Sequence, residues 1–246
     1  MKYFIFFPLF AATYAAPIEN GRTVESYECR KNSVPYQVSV AGGYHFCGGA
    51  LISRTWVLSA ALCRSAGSIQ VLLGEHDIDV NEGTEQSIDA VKFIIHPYYN
   101  RYNEDNNIML IKLSQPVTLN NYIRTVSLPS SCAVAGTRCL ISGWGSTYDS
   151  EDTTHDLLRC QDAPILSDRS CRSSYPGQIT SNMFCAGSLE GDQVYVQGYS
   201  GSPIVCNGQL QGVVCWLGGI VGSNDPGVYT KVCNYNSWIR NIMISE

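Results

Sequence analysis

No Cys-x-x-Cys pair, no basic block, no apolar run long enough to span a membrane and no Asn-x-Ser/Thr sequon occur in the sequence. Without paired Cys-x-x-Cys ligands, zinc-ribbon and thioredoxin-type chemistry have no anchor. Without clustered Lys and Arg, and with a net charge of −5, nucleic acid is excluded as an expected partner. The short apolar runs exclude a spanning helix, and the missing sequon excludes N-glycosylation. Histidine is also scarce, four in 246 residues, so general-base candidates are few. Against these absences stand 11 widely spread cysteines. Such a pattern reads as disulfides made in an oxidising compartment.

The first residues agree. "MKYFIFFPLFAATYAAP" carries one cation at Lys2, an apolar run from Tyr3 to Ala12 and then small residues. This predicts a secretory signal over residues 1–15 and a secreted, extracellular protein. Beyond it, short β-branched runs alternate with turn residues: "YQVSV", "SIQVLLGE", "NIMLIKL", "RCLISGWG" and "GVYTKV". "SPIVCNGQLQGVVCW" predicts a hairpin, since Asn207-Gly208 suits a two-residue type I′ turn. Only the C-terminal end reads as helix. Tyr235, Trp238, Ile239 and Ile242 make one apolar stripe, with Asn234 as the expected N-cap. Many short strands with Gly-rich turns point to an all-β barrel or sandwich.

Eight stretches then occur in one order and spacing: "NSVPYQVSV", "HFCGGALIS", "WVLSAALC", "LGEHDIDVNEGTEQ", "IMLIKL", "LISGWG", "ITSNMFCAGSLEG" and "DPGVYTKVCNYNSWI". Together they resemble the trypsin family, from about Thr23 to the end. The resemblance implies two Greek-key β-barrels and a C-terminal α-helix. It places an N-terminal barrel at about 23–125, a C-terminal barrel and helix at about 126–246, and a catalytic cleft between them. Residues 16–22 would be a propeptide-like segment ending at Arg22. Ancestry does not imply activity, which rests on the site residues.

Those residues depart from the family's pattern. Leu62 in "VLSAALC" stands at the family's histidine, the base that takes the serine proton. An isobutyl group has no lone pair and exchanges no proton. His45, His76, His96 and His155 match family positions elsewhere. Asn107 in "NNIML" stands at the orienting aspartate, and Asp105 lies two residues upstream, about 6 to 7 Å along an extended chain. Ser200 in "GYSGSP" aligns with the nucleophile, but a serine without a base is weak.

The activation machinery departs too. Tyr199 replaces the aspartate that pairs with the new N-terminus after zymogen cleavage. Thr23 and Glu25, in "TVES", suit an apolar N-terminal pocket poorly. In the specificity pocket Val194 stands at the floor aspartate. Tyr195 and Leu217 replace small wall residues, while Gly227 keeps its place.

The resemblance also implies a disulfide set: Cys29–Cys160, Cys47–Cys63, Cys132–Cys233, Cys139–Cys206 and Cys171–Cys185. The family's pocket-side bridge falls on Val196 and Ile220, so both its partners are missing together. Cys215 remains, expected as a buried free thiol that packs as a small hydrophobe, with a disulfide-linked dimer as the alternative. "EHDIDVNEGTE" resembles the family's calcium loop. There Glu75, Glu82 and Glu85 would offer carboxylates, and Asp77 and Val80 backbone carbonyls, to a structural Ca²⁺.

Three functions compete. The leading expectation is a secreted, monomeric trypsin homologue without peptidase activity, kept as a binding or decoy protein with a protein partner. The others are a serine endopeptidase of altered mechanism and non-tryptic specificity, and a decaying trypsinogen duplicate.

Overall fold

The computed structural model of the chain describes residues 26–145, 156–187, 199–216 and 225–246. The signal over 1–15, the segment 16–22, Thr23, Glu25, His155, Val194, Tyr195, Val196, Leu217 and Ile220 lie outside the described residues.

Six strands close the first barrel: β2 (Gln37–Ala41), β3 (His45–Ser53), β4 (Trp56–Ser59), β5 (Gln70–Leu73), β6 (Gln86–Ile95) and β7 (Met109–Leu113). Their order around it is β2-β3-β4-β7-β6-β5, so β4 passes to β7 and β5 returns to β2, a Greek-key path. The run before and through β7 is apolar on consecutive residues because both its faces are covered. Met109, Ile111 and Leu113 point into the barrel, while Ile108 and Leu110 join a second core with Leu210, Val213 and the C-terminal helix.

The second sheet contains β1 (Tyr27–Glu28), β8 (Arg138–Gly143), β9 (Arg159–Pro164), β10 (Met183–Ala186), β11 (Pro203–Cys206), β12 (Gln209–Trp216) and β13 (Gly227–Lys231). Its order is β1-β9-β8-β11-β12-β13-β10. The expected second barrel is a half-barrel among the described residues. The short β1 occupies part of the β9 edge, and a single antiparallel bridge, Ile165 to Ala186, brings the β9 end back to β10.

The hairpin forms as its turn chemistry requires. Cys206 pairs with Gln209, and Asn207 and Gly208 have φ of 50° and 74°. Two helical details differ from expectation. Asn234 does not cap the last helix. It sits in a 3-10 turn (Val232–Tyr235), and its amide donates to Ser181 O at 3.2 Å and Asn182 Oδ1 at 3.0 Å. The helix itself, α2 (Asn236–Ser245), starts from Tyr235 without a side-chain cap, and Tyr235 and Ile239 bury the predicted stripe. The second detail is a short helix the sequence reading missed, α1 (Asp168–Ser174). Its signal was local: Ser167 caps it by accepting from Ser170 N, and Asp168 lies in the first turn.

All five disulfides implied by the resemblance are formed, and Cys215 is free and buried. Across the barrels, Gln37 accepts from Ser142 Oγ at 2.8 Å and approaches Ser202 Oγ at 3.5 Å. Gly48 N donates to Ser200 O at 2.8 Å. These ties fix the loop carrying Ser200 against the first barrel.

Candidate functional site

Three elements converge on the cleft. Leu62 lies in a 3-10 turn (Ala61–Cys63) after β4, Asn107 precedes β7, and Ser200 lies in the turn before β11. The disulfide Cys47–Cys63 anchors the turn to β3, and Cys63 Sγ lies 3.4 Å from Ser200 O. The fold therefore brings together the three positions that the resemblance singles out.

Their chemistry is not that of a proton relay. Leu62 is 38% exposed and faces a shallow cleft shared with Tyr44, Phe46 and Arg64. Its backbone N–H donates to Asn107 Oδ1 at 3.0 Å. Asn107 is fully buried, and its amide N–H donates to Cys215 Sγ at 3.4 Å. Thr230 Oγ1 donates to Asn107 O at 2.8 Å. An amide suits this place because one end accepts and the other donates, whereas a carboxylate could only accept. Cys215, 1% exposed, donates in turn to Glu104 O at 3.6 Å. Burial pushes its thiol pKa up to about 12, and the amide contact lowers it only in part. The thiol thus stays protonated, and a thiolate nucleophile has no support here.

Among the described residues no side chain hydrogen-bonds Ser200 Oγ, and no histidine is placed to take its proton. His45 Nδ1 is 2.8 Å from Ser39 Oγ, and His76 Nε2 is 2.9 Å from Glu28 Oε1. His96 packs against Tyr98, Tyr235 and Trp238, and burial holds its pKa below the ordinary value. Asp105 does not stand in for the missing acid. Its oxygens accept from Thr180 Oγ1 at 2.6 Å, Asn182 Nδ2 at 3.0 Å and Asn106 Nδ2 at 3.0 Å.

The residue before the serine has become part of the core. Tyr199 is 2% exposed, with its ring laid over Gly143, where a Cβ would come within 2.7 Å of Tyr199 Cδ1. Burial raises its phenol pKa, so it brings no negative charge to an incoming ammonium. Of the segment at the expected cleavage site, Ser26 is described, and its carbonyl accepts from Arg159 Nη2 at 2.8 Å. Gly227 opens β13 opposite Ala186.

One residue went unremarked in the sequence. Ser202, two positions after Ser200, is fully buried, and its Oγ lies where any side chain on Gly48 would fall. The signal was present in "GYSGSP", but the neighbour that makes it matter is 154 residues away in sequence.

This geometry has relatives. The trypsin family model, described as Trypsin, matches residues 23–239. The chain belongs to the trypsin family. It is 63% identical over 239 residues to Trypsin-3 of Salmo salar, covering 96% of this chain and 100% of that protein. It is 58% identical over 248 residues to Cationic trypsin-3 of Rattus norvegicus, with full coverage of both, and 60% identical over 228 residues to Trypsin of Sus scrofa, covering 93% and 98%.

The loop that the trypsin-family resemblance assigns to calcium is also described. Glu75 is half-buried, and burial together with Glu85, Glu82 and Asp77 pushes its carboxyl pKa up to about 7. Glu82 Oε1 pairs with Lys31 Nζ at 2.6 Å, while Glu82 Oε2 is buried without a partner. Glu85 Oε1 accepts from Glu82 N, and Asp77 O accepts from Val80 N at 3.3 Å. Among the described residues no three His, Cys, Asp or Glu side chains are drawn together tightly enough to hold a metal ion. The donor chemistry nevertheless fits a hard cation: like charges face one another and one buried carboxylate oxygen lacks any donor.

Proposed function

We propose that the chain is a secreted trypsin-family protein without peptidase activity that acts by binding a protein partner. The observation that carries this reading is Leu62, an apolar, part-exposed side chain at the base position, whose backbone N–H is held by a buried amide, Asn107. Among the described residues no side chain is placed to remove the Ser200 proton, and Tyr199, a phenol, offers no carboxylate to a new N-terminus. Five disulfides support an extracellular setting. Among the described residues no helix is long and apolar enough to cross a membrane. The burial of Cys215 favours a monomer over a disulfide-linked dimer.

The test is a fluorophosphonate probe, which labels an activated serine stoichiometrically. The expected result is no labelling of Ser200 and no turnover of Arg, Lys or aromatic peptide esters, with or without cleavage after Arg22. Stoichiometric labelling would overturn the reading. Affinity capture from the secretion that contains the protein, read by mass spectrometry, would name the partner.

A structural calcium ion belongs to the same proposal. Glu75, Glu82 and Glu85 would hold it with the carbonyls of Asp77 and Val80, supplying a charge that the opposed carboxylates lack. The raised pKa of Glu75 gives this a pH signature. A carboxyl at about 7 in the fold, against an ordinary 4.5, makes ionising it costly to the folded state. In chelator this penalty is absent below the ordinary value and complete above the folded one, so this group favours stability as pH falls between them. Calcium needs the ionised form, so its stabilisation should grow as pH rises through the same window. Melting curves at about pH 5 and about pH 8, with chelator and with millimolar Ca²⁺, check both signs. Equal calcium shifts at the two pH values would refute the linkage.

A further inference from the structure

The loop that resembles the family's calcium loop already has a cation at its edge. Lys31 lies 51 residues from Glu82 in sequence, and its ammonium reaches Glu82 Oε1 at 2.6 Å. Its backbone place is fixed twice. Cys29, two residues before it, is bonded to Cys160, and a tight turn follows in which Ser33 N donates to Arg30 O at 2.9 Å with Asn32 at φ 65°. The Lys31 side chain is half-exposed, but that of Glu82 is only 12% exposed. The bond therefore draws one oxygen of a mostly buried carboxylate outward. The other, Oε2, is left inside without a partner.

We propose that Lys31 is a resident counter-cation of this loop, which lets its carboxylates fold together without metal and lowers the affinity of the loop for Ca²⁺. The inference rests on the calcium reading above. Glu75, Asp77, Asp79, Glu82 and Glu85 are the anionic side chains of the loop, and Lys31 is bonded to one of them, Glu82; Arg30 and His76 are the other basic side chains nearby in sequence. A fixed positive charge beside a ligand carboxylate acts on a divalent ion in two ways. It repels the ion, and it occupies an oxygen that the ion would otherwise share. Both lower affinity. In the metal-free chain the same charge offsets repulsion among the carboxylates, so it adds stability there. Exposed ion pairs are individually weak, but this one bears on several like charges at once.

The experiment compares the wild-type chain with Lys31→Met, which keeps the apolar stem, and Lys31→Arg, which keeps the charge. Each is stripped with chelator, dialysed into low-salt buffer and titrated with CaCl₂ by calorimetry, and each is melted in chelator. Lys31→Met is expected to bind Ca²⁺ about three- to tenfold more tightly and to melt at a lower temperature without metal. Lys31→Arg should stay near wild type in both, and added salt should shrink the Met difference by screening. Equal affinity in the wild-type and Met chains would overturn the tuning role and leave the calcium reading standing. Absence of binding heat in both chains would overturn the calcium reading and this inference with it. Should Lys31→Met fold poorly, Lys31→Gln serves for the same comparison.

Discussion

Leu62→His combined with Asn107→Asp is expected to leave the chain at background on arginine esters, although it rebuilds a triad around Ser200. Loss of the base alone costs about 10⁶ in kcat in related systems, on the order of 8 kcal/mol. If Leu62 were the single lesion, most of that factor would return. The surroundings of Asn107 argue against it. Its amide donates to Cys215 Sγ and accepts from Leu62 N. An aspartate there would bury a charge completely and lose its contact with Cys215, whose S–H is a weak donor already used by Glu104 O. The double variant should therefore melt lower than the parent, and Cys215→Ser should recover part of the loss by supplying an O–H.

Activity needs further steps. Tyr199 packs its ring on Gly143, and a phenol offers an incoming ammonium no carboxylate. Preorganised oxyanion donors supply a large share of catalysis, and in this family their order depends on that ammonium pair. Adding Tyr199→Asp, Thr23→Ile, Glu25→Gly and Ser26→Gly, followed by cleavage after Arg22, should give the first detectable labelling of Ser200. Arginine-directed turnover should need Val194→Asp, Tyr195→Ser and Leu217→Gly as well, because substrate must also be positioned. Trypsin-like rates from the double variant alone would show that the layered loss is wrong.

The second large effect is on stability. Gly48→Ala would place a Cβ 1.9 Å from Ser202 Oγ and 2.9 Å from Ser202 Cα. Neither atom is a flexible end. Ser202 is fully buried, its backbone N donates to Tyr199 O at 2.8 Å, and its carbonyl accepts from Val214 N at 2.8 Å. Overpacking of this kind costs about 3 kcal/mol. Ser202→Gly removes the nearer contact but not the backbone one, so it should rescue the alanine variant only in part. Denaturant unfolding of the two single variants and the double completes the cycle. A loss below about 0.5 kcal/mol for Gly48→Ala would contradict the close approach.

What the sequence could and could not disclose follows from the range of each interaction. β7 and the Asn207-Gly208 hairpin were legible because their signals are local: an apolar run bounded by turn residues, and two positions that tolerate positive φ. The disulfide set was legible only through family resemblance, since spacing does not dictate pairing. Asn234 looked like a cap because an asparagine preceded an apolar stripe, yet a 3-10 turn intervenes and its side chain finds β10-side partners. Leu62 and Asn107 could be identified as departures, but the amide's two-sided bonding between Leu62 and Cys215 needed the fold. Lys31 with Glu82, and Ser202 with Gly48, were invisible for the same reason. Each pair joins residues far apart in sequence, and neither member is unusual by itself.

The bridges Cys29–Cys160 and Cys132–Cys233 overlap in sequence. A single cut at any peptide bond from Cys29 to Cys233 therefore falls inside at least one covalent ring. A chain that met active proteases would be nicked without being shed in pieces. It would migrate as one band on a non-reducing gel and as two after reduction. A partner held across the barrels would stay held through the first cleavage, and only a second cut, or a reductant, could release a fragment.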